Sequence, residues 1–255
     1  MGATHGPERV KKHPVDVSIA RRAENKKDNK RGCNPRNRNT MQYTIDIQEF
    51  DAVILANGEF PSHRVPMEIL RGGLPVVCCD GAAKALLELG LEPADIVGDG
   101  DSLPTDLKER MQHLLHIDSN QDTNDLTKAV DYCVAKGYRR IAIVGAGGLR
   151  EDHLLGNISL LAMFRKKAYC RMFTNYGVFT PIGGDTVFKS FPRQQVSVFS
   201  LDKDNVLTYK GLQYPVEGRR FAYLWEGTLN SALGDSFEVQ TTGDTIVFQT
   251  YEAKA

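Results

Sequence analysis

The chain has 255 residues, 41% of them hydrophobic and 25% charged, and its 32 Lys and Arg balance 32 Asp and Glu. These proportions fit a soluble globular enzyme of one large or two modest domains, and no apolar run reaches the roughly 20 residues of a membrane span. Five cysteines, an odd number without a C-x-x-C spacing, argue against a disulfide framework or a zinc site and predict a reducing, cytoplasmic setting.

The even balance conceals a basic start. Residues 1–40 carry 11 Lys and Arg against 4 Asp and Glu, a balance of +7, which leaves 21 against 28, or −7, for the remainder. With few large apolar residues and no sustained period, this segment is expected to be a disordered, dispensable extension. It is basic rather than apolar, so it is not a secretory signal. A flexible extension, with translation from upstream of a start at Met41 as one origin, is favoured over a nucleic-acid-binding tail, because strand-like order begins only with "MQYTIDIQEFDAVILAN". Neither nucleic acid nor a membrane is expected as a partner.

From residue 41 to 180 the pattern predicts an open, mainly parallel α/β domain. "DAVILAN", "PVVCCD", "ADIVGD" and "RRIAIVGA" are near-continuous apolar runs, as in parallel strands covered on both faces. Between them "AAKALLELG", "PTDLKERMQHLL" and "TNDLTKAVDYCVAKG" have helical spacing, and "DHLLGNISLLAMFRKK" follows the last strand. After "TPIGGDT" the pattern changes to short β segments separated by Gly, Asp, Asn and Pro, among them "QQVSVFSLD", "DSFEVQTTG" and "DTIVFQTY". Residues 181–255 are therefore expected to be an antiparallel β-sandwich or barrel.

In an open α/β sheet, ligands bind beyond the carboxyl ends of the strands. Asp80 follows "VVCC", Asp99 and Asp101 follow "DIVG", Asp118 follows "LLHI", and Asp125 opens a helical segment. Two carboxylates about 5 Å apart repel by roughly 3 kcal/mol at an effective dielectric near 20. A cluster of them calls for a cation, and Mg²⁺ is the usual choice beside phosphates. Asp80, Asp99, Asp101 and Asp125 are the expected metal ligands, whereas Asp118 and Asp122 read individually as turn or cap residues.

"GAGGLREDH", residues 145–153, lies between a strand and a helix, where glycines and a helix N-terminus admit an anion or simply allow tight packing. It is neither a Walker A loop nor a G-x-G-x-x-G fingerprint. Arg150 suits a bidentate phosphate contact. Asp152 suits a helix cap or an ordering role for Arg150, and His153 either bonds phosphate or packs. Cys78 and Cys79, inside an apolar strand, read as core. His113 and His116 read as surface residues.

"CDGAAKAL", "IVGDGDS", "QDTNDLTKAV", "GAGGLREDH", "GLQYPVEG" and "GTLNS" occur in the order and spacing of the thiamin pyrophosphokinase family, which this chain resembles over about residues 51–250. The resemblance implies Mg²⁺-dependent transfer of pyrophosphate from ATP to the hydroxyl of thiamine, giving thiamine diphosphate and AMP. It also implies a homodimer whose active sites join the nucleotide domain of one subunit to the β domain of the other. By position, Asp80, Asp99, Asp101 and Asp125 match the family's acidic metal and substrate residues, with Asp99, Asp101, Asp125 and Arg150 as the catalytic set. Asp80, Gly81, Gly148, Arg150, Asp152 and His153 match nucleotide-binding positions, and Thr228 and Asn230 match thiamine contacts.

The sequence departs from the family pattern at several of these places. Gly100 stands where a bulky aromatic is usual, Leu149 where a small residue is usual, Asn124 for threonine, and Leu229 for serine. The charged groups are spared. Related readings are a pyrophosphokinase for another alcohol, such as a hydroxymethylpterin, and a catalytically silent nucleotide-binding module.

Overall fold

The computed structural model describes residues 42–120 and 122–254; the expectations for residues 1–40 lie outside them. Two sheets organise these residues. The parallel part of the larger sheet is built from β1 (Ala52–Leu55), β2 (Val76–Cys79), β3 (Asp95–Gly98), β4 (Leu115–Ile117), β5 (Arg140–Val144) and β6 (Tyr169–Phe173). Their order is β6-β5-β1-β2-β3-β4. The topology therefore reverses at β1, with β2 on one side and β5 on the other.

Alternate residues of these strands enter opposite cores, which explains their unbroken apolar runs. Val53, Leu55, Val76 and Cys78 pack with α1 (Arg64–Arg71) and α2 (Ala82–Glu88) through Val65, Ile69, Ala83 and Leu86. Ile54, Val77, Cys79 and Ile143 pack with α4 (Asp125–Ala135) and α5 (Glu151–Phe164) through Leu126, Ala129, Val130, Leu161 and Phe164. The shorter α3 (Thr105–Arg110) joins β3 to β4 through a 3-10 turn at Gln112–Leu114.

The C-terminal residues form an antiparallel sandwich, as expected, and extend the first sheet rather than standing apart from it. After β7 (Gly177–Ile182) come β8 (Thr186–Lys189), β9 (Gln194–Ser200), β10 (Leu207–Lys210), β11 (Val216–Arg219), β12 (Asn230–Ser231), β13 (Ser236–Thr241) and β14 (Thr245–Ala253). Strands β7, β14, β9 and β12 continue the large sheet beyond β6, making ten strands, and β11-β10-β13-β8 form a second sheet. Ile182, Val196, Val198 and Val247 of the first meet Phe188, Leu207, Phe237 and Val239 of the second. The line drawn between residues 180 and 181 thus falls inside β7.

Candidate functional site

The acidic site begins with backbone geometry. Asp80 terminates β2 at φ 33°, in the left-handed region that non-glycine residues rarely occupy. Its side chain is 2% exposed, and Oδ2 accepts a hydrogen bond from the Ser102 amide at 2.8 Å. Oδ1 is buried with no partner. Burial pushes the carboxyl up from its ordinary value, and the charges of Asp99 and Asp101 add to that. Gly98 makes room for this side chain, since a Cβ there would lie 2.8 Å from Asp80 Cβ.

The second acidic strand end complements the first. Asp99 Oδ1 accepts from the Asp101 amide at 3.2 Å, and Asp101 Oδ1 accepts from Ser102 Oγ at 2.9 Å. Gly100, between them, has φ 75°, and its carbonyl accepts from Lys108 Nζ at 3.0 Å. A Cβ at Gly100 would lie 2.9 Å from Ile117 Cδ1, so the turn suits the residue found there. Asp80, Asp99 and Asp101 each bring a carboxylate oxygen within 4.8 Å of the others. A buried, orphaned carboxylate oxygen among three converging carboxylates is a donor set that fits a hard divalent cation.

Asp125 is not in that grouping. It is the first residue of α4, and its Oδ1 accepts from Lys128 Nζ at 3.3 Å. The Lys128 side chain is only 3% exposed. Sequence reading missed this lysine, although its i, i+3 spacing from Asp125 places the two on one helix face. It also missed Ser102, whose amide fixes Asp80. Asn124 caps α4 by accepting from the Thr127 amide at 2.9 Å, a task its short polar side chain performs as threonine would. Gly81 opens α2 against Asn57 and Ser102.

The glycine loop lies at the ends of β5 and α5. Gly148 and Leu149 both have positive φ, 69° and 60°. Leu149 is exposed, so no packing repays its conformation. Arg150 pairs with Asp152 through Nε to Oδ1 at 3.1 Å and Nη2 to Oδ2 at 2.5 Å. Hydrogen bonds from Arg150 hold the Asp152 carboxyl below its ordinary value. Asp152 also accepts from the His153 amide at 3.0 Å, so it both orders Arg150 and binds the first turn of the helix. His153 is exposed.

Two other readings resolve here. Cys78 and Cys79 are buried, and burial pushes the Cys78 thiol up to about 12, so neither is a nucleophile. His116 is a correction: it is half-buried, with Nε2 2.8 Å from both Asp95 Oδ1 and Tyr132 Oη. Asp118 accepts from the Asn120 amide at 2.9 Å, a turn role as expected.

In the C-terminal half, Thr228 Oγ1 donates to the Trp225 carbonyl at 2.7 Å. Asn230 is buried, accepts from the Tyr214 amide at 3.0 Å and donates to the Tyr214 carbonyl at 2.8 Å. It thereby ties "GLQYPVEG" to "GTLNS". Between Thr228 and Asn230, Leu229 projects into solvent at φ 61°.

Comparison with known proteins agrees along the chain. Residues 71–173 match the family model "Thiamin pyrophosphokinase, catalytic domain", and residues 177–248 match "Thiamin pyrophosphokinase, substrate-binding domain". A thiamine pyrophosphokinase of Bacillus subtilis is 29% identical over 152 residues, covering 54% of this chain and 68% of that protein. The crystal structure of thiamin pyrophosphokinase from Geobacillus thermodenitrificans is 25% identical with a TM-score of 0.64, over 78% of this chain and 96% of that one. That of Candida albicans shares the fold at 17% identity and a TM-score of 0.68, over 79% and 90% of the two chains. With both halves matched in order, this chain belongs to the thiamin pyrophosphokinase family.

Proposed function

We propose that this chain transfers the pyrophosphoryl group of ATP to the hydroxyl of thiamine, in a homodimer. The observation that carries the reading is the convergence of Asp80, Asp99 and Asp101 around an unpaired buried oxygen, inside a chain of this family. Asp80, Asp99 and Asp101 would hold Mg²⁺, which supplies charge neutralisation to the triphosphate.

Asp125, held by Lys128, is assigned to orienting the thiamine hydroxyl. The hydroxyl oxygen forms a bond to the β-phosphorus and its proton is released. The bond from the β-phosphorus to the α,β-bridging oxygen breaks, and the electron pair leaves on AMP. Arg150, released from Asp152, offsets the charge that moves towards the α-phosphate. Thr228 and Asn230 are assigned to the thiamine side, with Asn230 acting through the loop it ties down.

The test is product analysis with ATP, Mg²⁺ and thiamine. Thiamine diphosphate and AMP in equal amounts are expected. ADP as the nucleotide product, or AMP released equally well without thiamine, would overturn the reading.

A further inference from the structure

At the amino ends of β5 and β6 lies a cleft of about 930 Å³, lined there by their first residues, Arg140 and Tyr169. The acidic cluster and the glycine loop occupy the opposite, carboxyl ends of the parallel strands. Along β5 alone the two ends are about 13 Å apart, at roughly 3.3 Å per residue. The walls come from the segment 42–49, from β6 and β7, and from β8 of the second sheet. None of the roles above draws on any of these residues.

The cleft is built around a buried cation. Arg171, in the middle of β6, is 7% exposed, and its Cζ lies 5.2 Å from the Phe173 ring centroid and 5.9 Å from that of Tyr43. A guanidinium has five N–H groups. Nε donates to Thr180 Oγ1 at 3.1 Å, Nη1 to Glu49 Oε2 at 3.3 Å, and Nη2 to the Tyr43 hydroxyl. The remaining two, one on each terminal nitrogen, have no acceptor among the described residues. A carboxylate takes that number in a bidentate contact. The charged partner, Glu49, has a side chain 44% exposed and makes a single contact, so solvent screens the pair.

Charge narrows the ligand. The charged residues described in the lining are Arg140, Arg171, Lys189, Asp46 and Glu49, three cations against two anions, a balance of +1. Arg140 is held by Asp51, with Nη2 2.5 Å from Oδ1, whereas exposed Lys189 has no ion pair among the described residues. A singly charged carboxylate matches the balance. A phosphate monoester, with about −1.5 to −2 charges, overshoots it beside Asp46 and Glu49. Tyr169 and Val187 add exposed apolar surface to the walls, and the volume suits a small organic molecule.

We propose that this cleft binds a small organic monocarboxylate. Arg171 grips the carboxylate, Lys189 supplies the unpaired positive charge, and the apolar body lies against Tyr169 and Val187. The site is independent of the proposed reaction. The test uses benzoate, followed by ligand-observed NMR on the full chain without nucleotide, with its neutral isostere benzamide and inorganic phosphate as controls. Benzoate should bind, benzamide should not, and phosphate should not displace it. Lys189→Glu, at an exposed position, should weaken benzoate about tenfold. Glu49→Gln keeps an acceptor for Arg171 but removes the competing charge, so it should tighten benzoate about threefold. Arg171→Gln should abolish binding and also lower Tm, because Arg171 ties Tyr43, Glu49 and Thr180 together. The two milder variants therefore carry the test, since general damage does not shift affinity in opposite directions.

No benzoate binding, equal binding of benzamide, or displacement by phosphate would overturn the assignment. Affinity unmoved by the two variants, or moved the same way by both, would also overturn it. Displacement of benzoate by ATP or thiamine would place the probe in the catalytic half and count equally against the cleft. Formation of thiamine diphosphate enters none of these readings, so the cleft and the reaction succeed or fail separately.

Discussion

At the ends of β2 and β3, Asp80 is sealed from solvent with one carboxylate oxygen unpaired, whereas at the start of α5 Arg150 and Asp152 satisfy each other in the open. The Arg150 and Asp152 side chains are 66% and 62% exposed. The first arrangement carries a cost in the folded protein that a bound cation or a proton removes, and its shape precedes its ligand. The second costs almost nothing and can be rearranged by a ligand at the price of one surface ion pair. A preformed acidic platform and a surface ion pair open to rearrangement suit the proposed reaction, in which charge is first neutralised and then moves.

The sharpest way to break this contrast is at the platform. Asp99→Asn and Asp101→Asn should each cut turnover at least about 100-fold, with melting temperature retained. Ordinary activity in both at normal Mg²⁺ would show that the cluster is not the metal site. A second experiment asks whether the platform and the Thr228–Asn230 segment of one active site belong to one chain. Asp125→Ala and Asn230→Ala chains, each folded and inactive alone, are mixed and allowed to exchange subunits. With shared sites, half the dimers are hybrids with one intact site, so roughly a quarter of wild-type activity returns. No recovery, with exchange shown independently, assigns each site to a single chain.

The surface ion pair should be far less sensitive. Asp152→Asn should change the KM for ATP by less than about fivefold and leave Tm within about 1 °C, as for other exposed pairs. The sign with pH is fixed. The Asp152 carboxyl is depressed by Arg150, so the pair's contribution is present above the ordinary aspartate value of 3.8. It is lost as pH falls through the depressed value, and Tm differences between variant and parent should vanish only in acid. The smallest effect concerns Leu149, a non-glycine residue held at φ 60° in solvent. Leu149→Gly should stabilise by about 1 kcal/mol, read as a rise of about 2–4 °C in Tm.

Leu149 and Leu229 also show how a sequence comparison turns into conformation. Both stand where the family resemblance leads one to expect a smaller residue, and both take left-handed backbone with exposed side chains. The backbone there is dictated by the surrounding turn, and leucine tolerates it at a cost. Gly100 is the converse, a residue suited to its φ of 75°.

What could be read in advance followed local pattern. The apolar runs of β1, β2, β3 and β5 announced strands covered on both faces, and the spacing of Asp99 and Asp101 after a strand announced a paired-carboxylate turn. Helix α1 is not announced by that pattern, and it contains a proline. Pro66 is in fact the third helical residue, where its missing N–H had no intrahelical partner to lose. Strand β7 ends within "TPIGGDT", which local pattern marks only as the change between the two halves. Pro181 is tolerated beyond the pairing of β6 with β7, which ends at Phe179. The cleft by Arg171 was out of reach, since its lining comes from segments as far apart as Glu49, Arg171, Lys189 and Gln249. Only the folded chain brings them together.

The ten-stranded sheet has a mechanical consequence. Strand β7 is hydrogen-bonded to β6 on one side and to β14 on the other, and β14 in turn to β9. A hinge between the parallel and antiparallel parts would have to break a ladder rather than bend a tether. Within one chain, then, the sheet is a continuous beam, and the movements that the proposed reaction requires would fall to the segments outside that ladder.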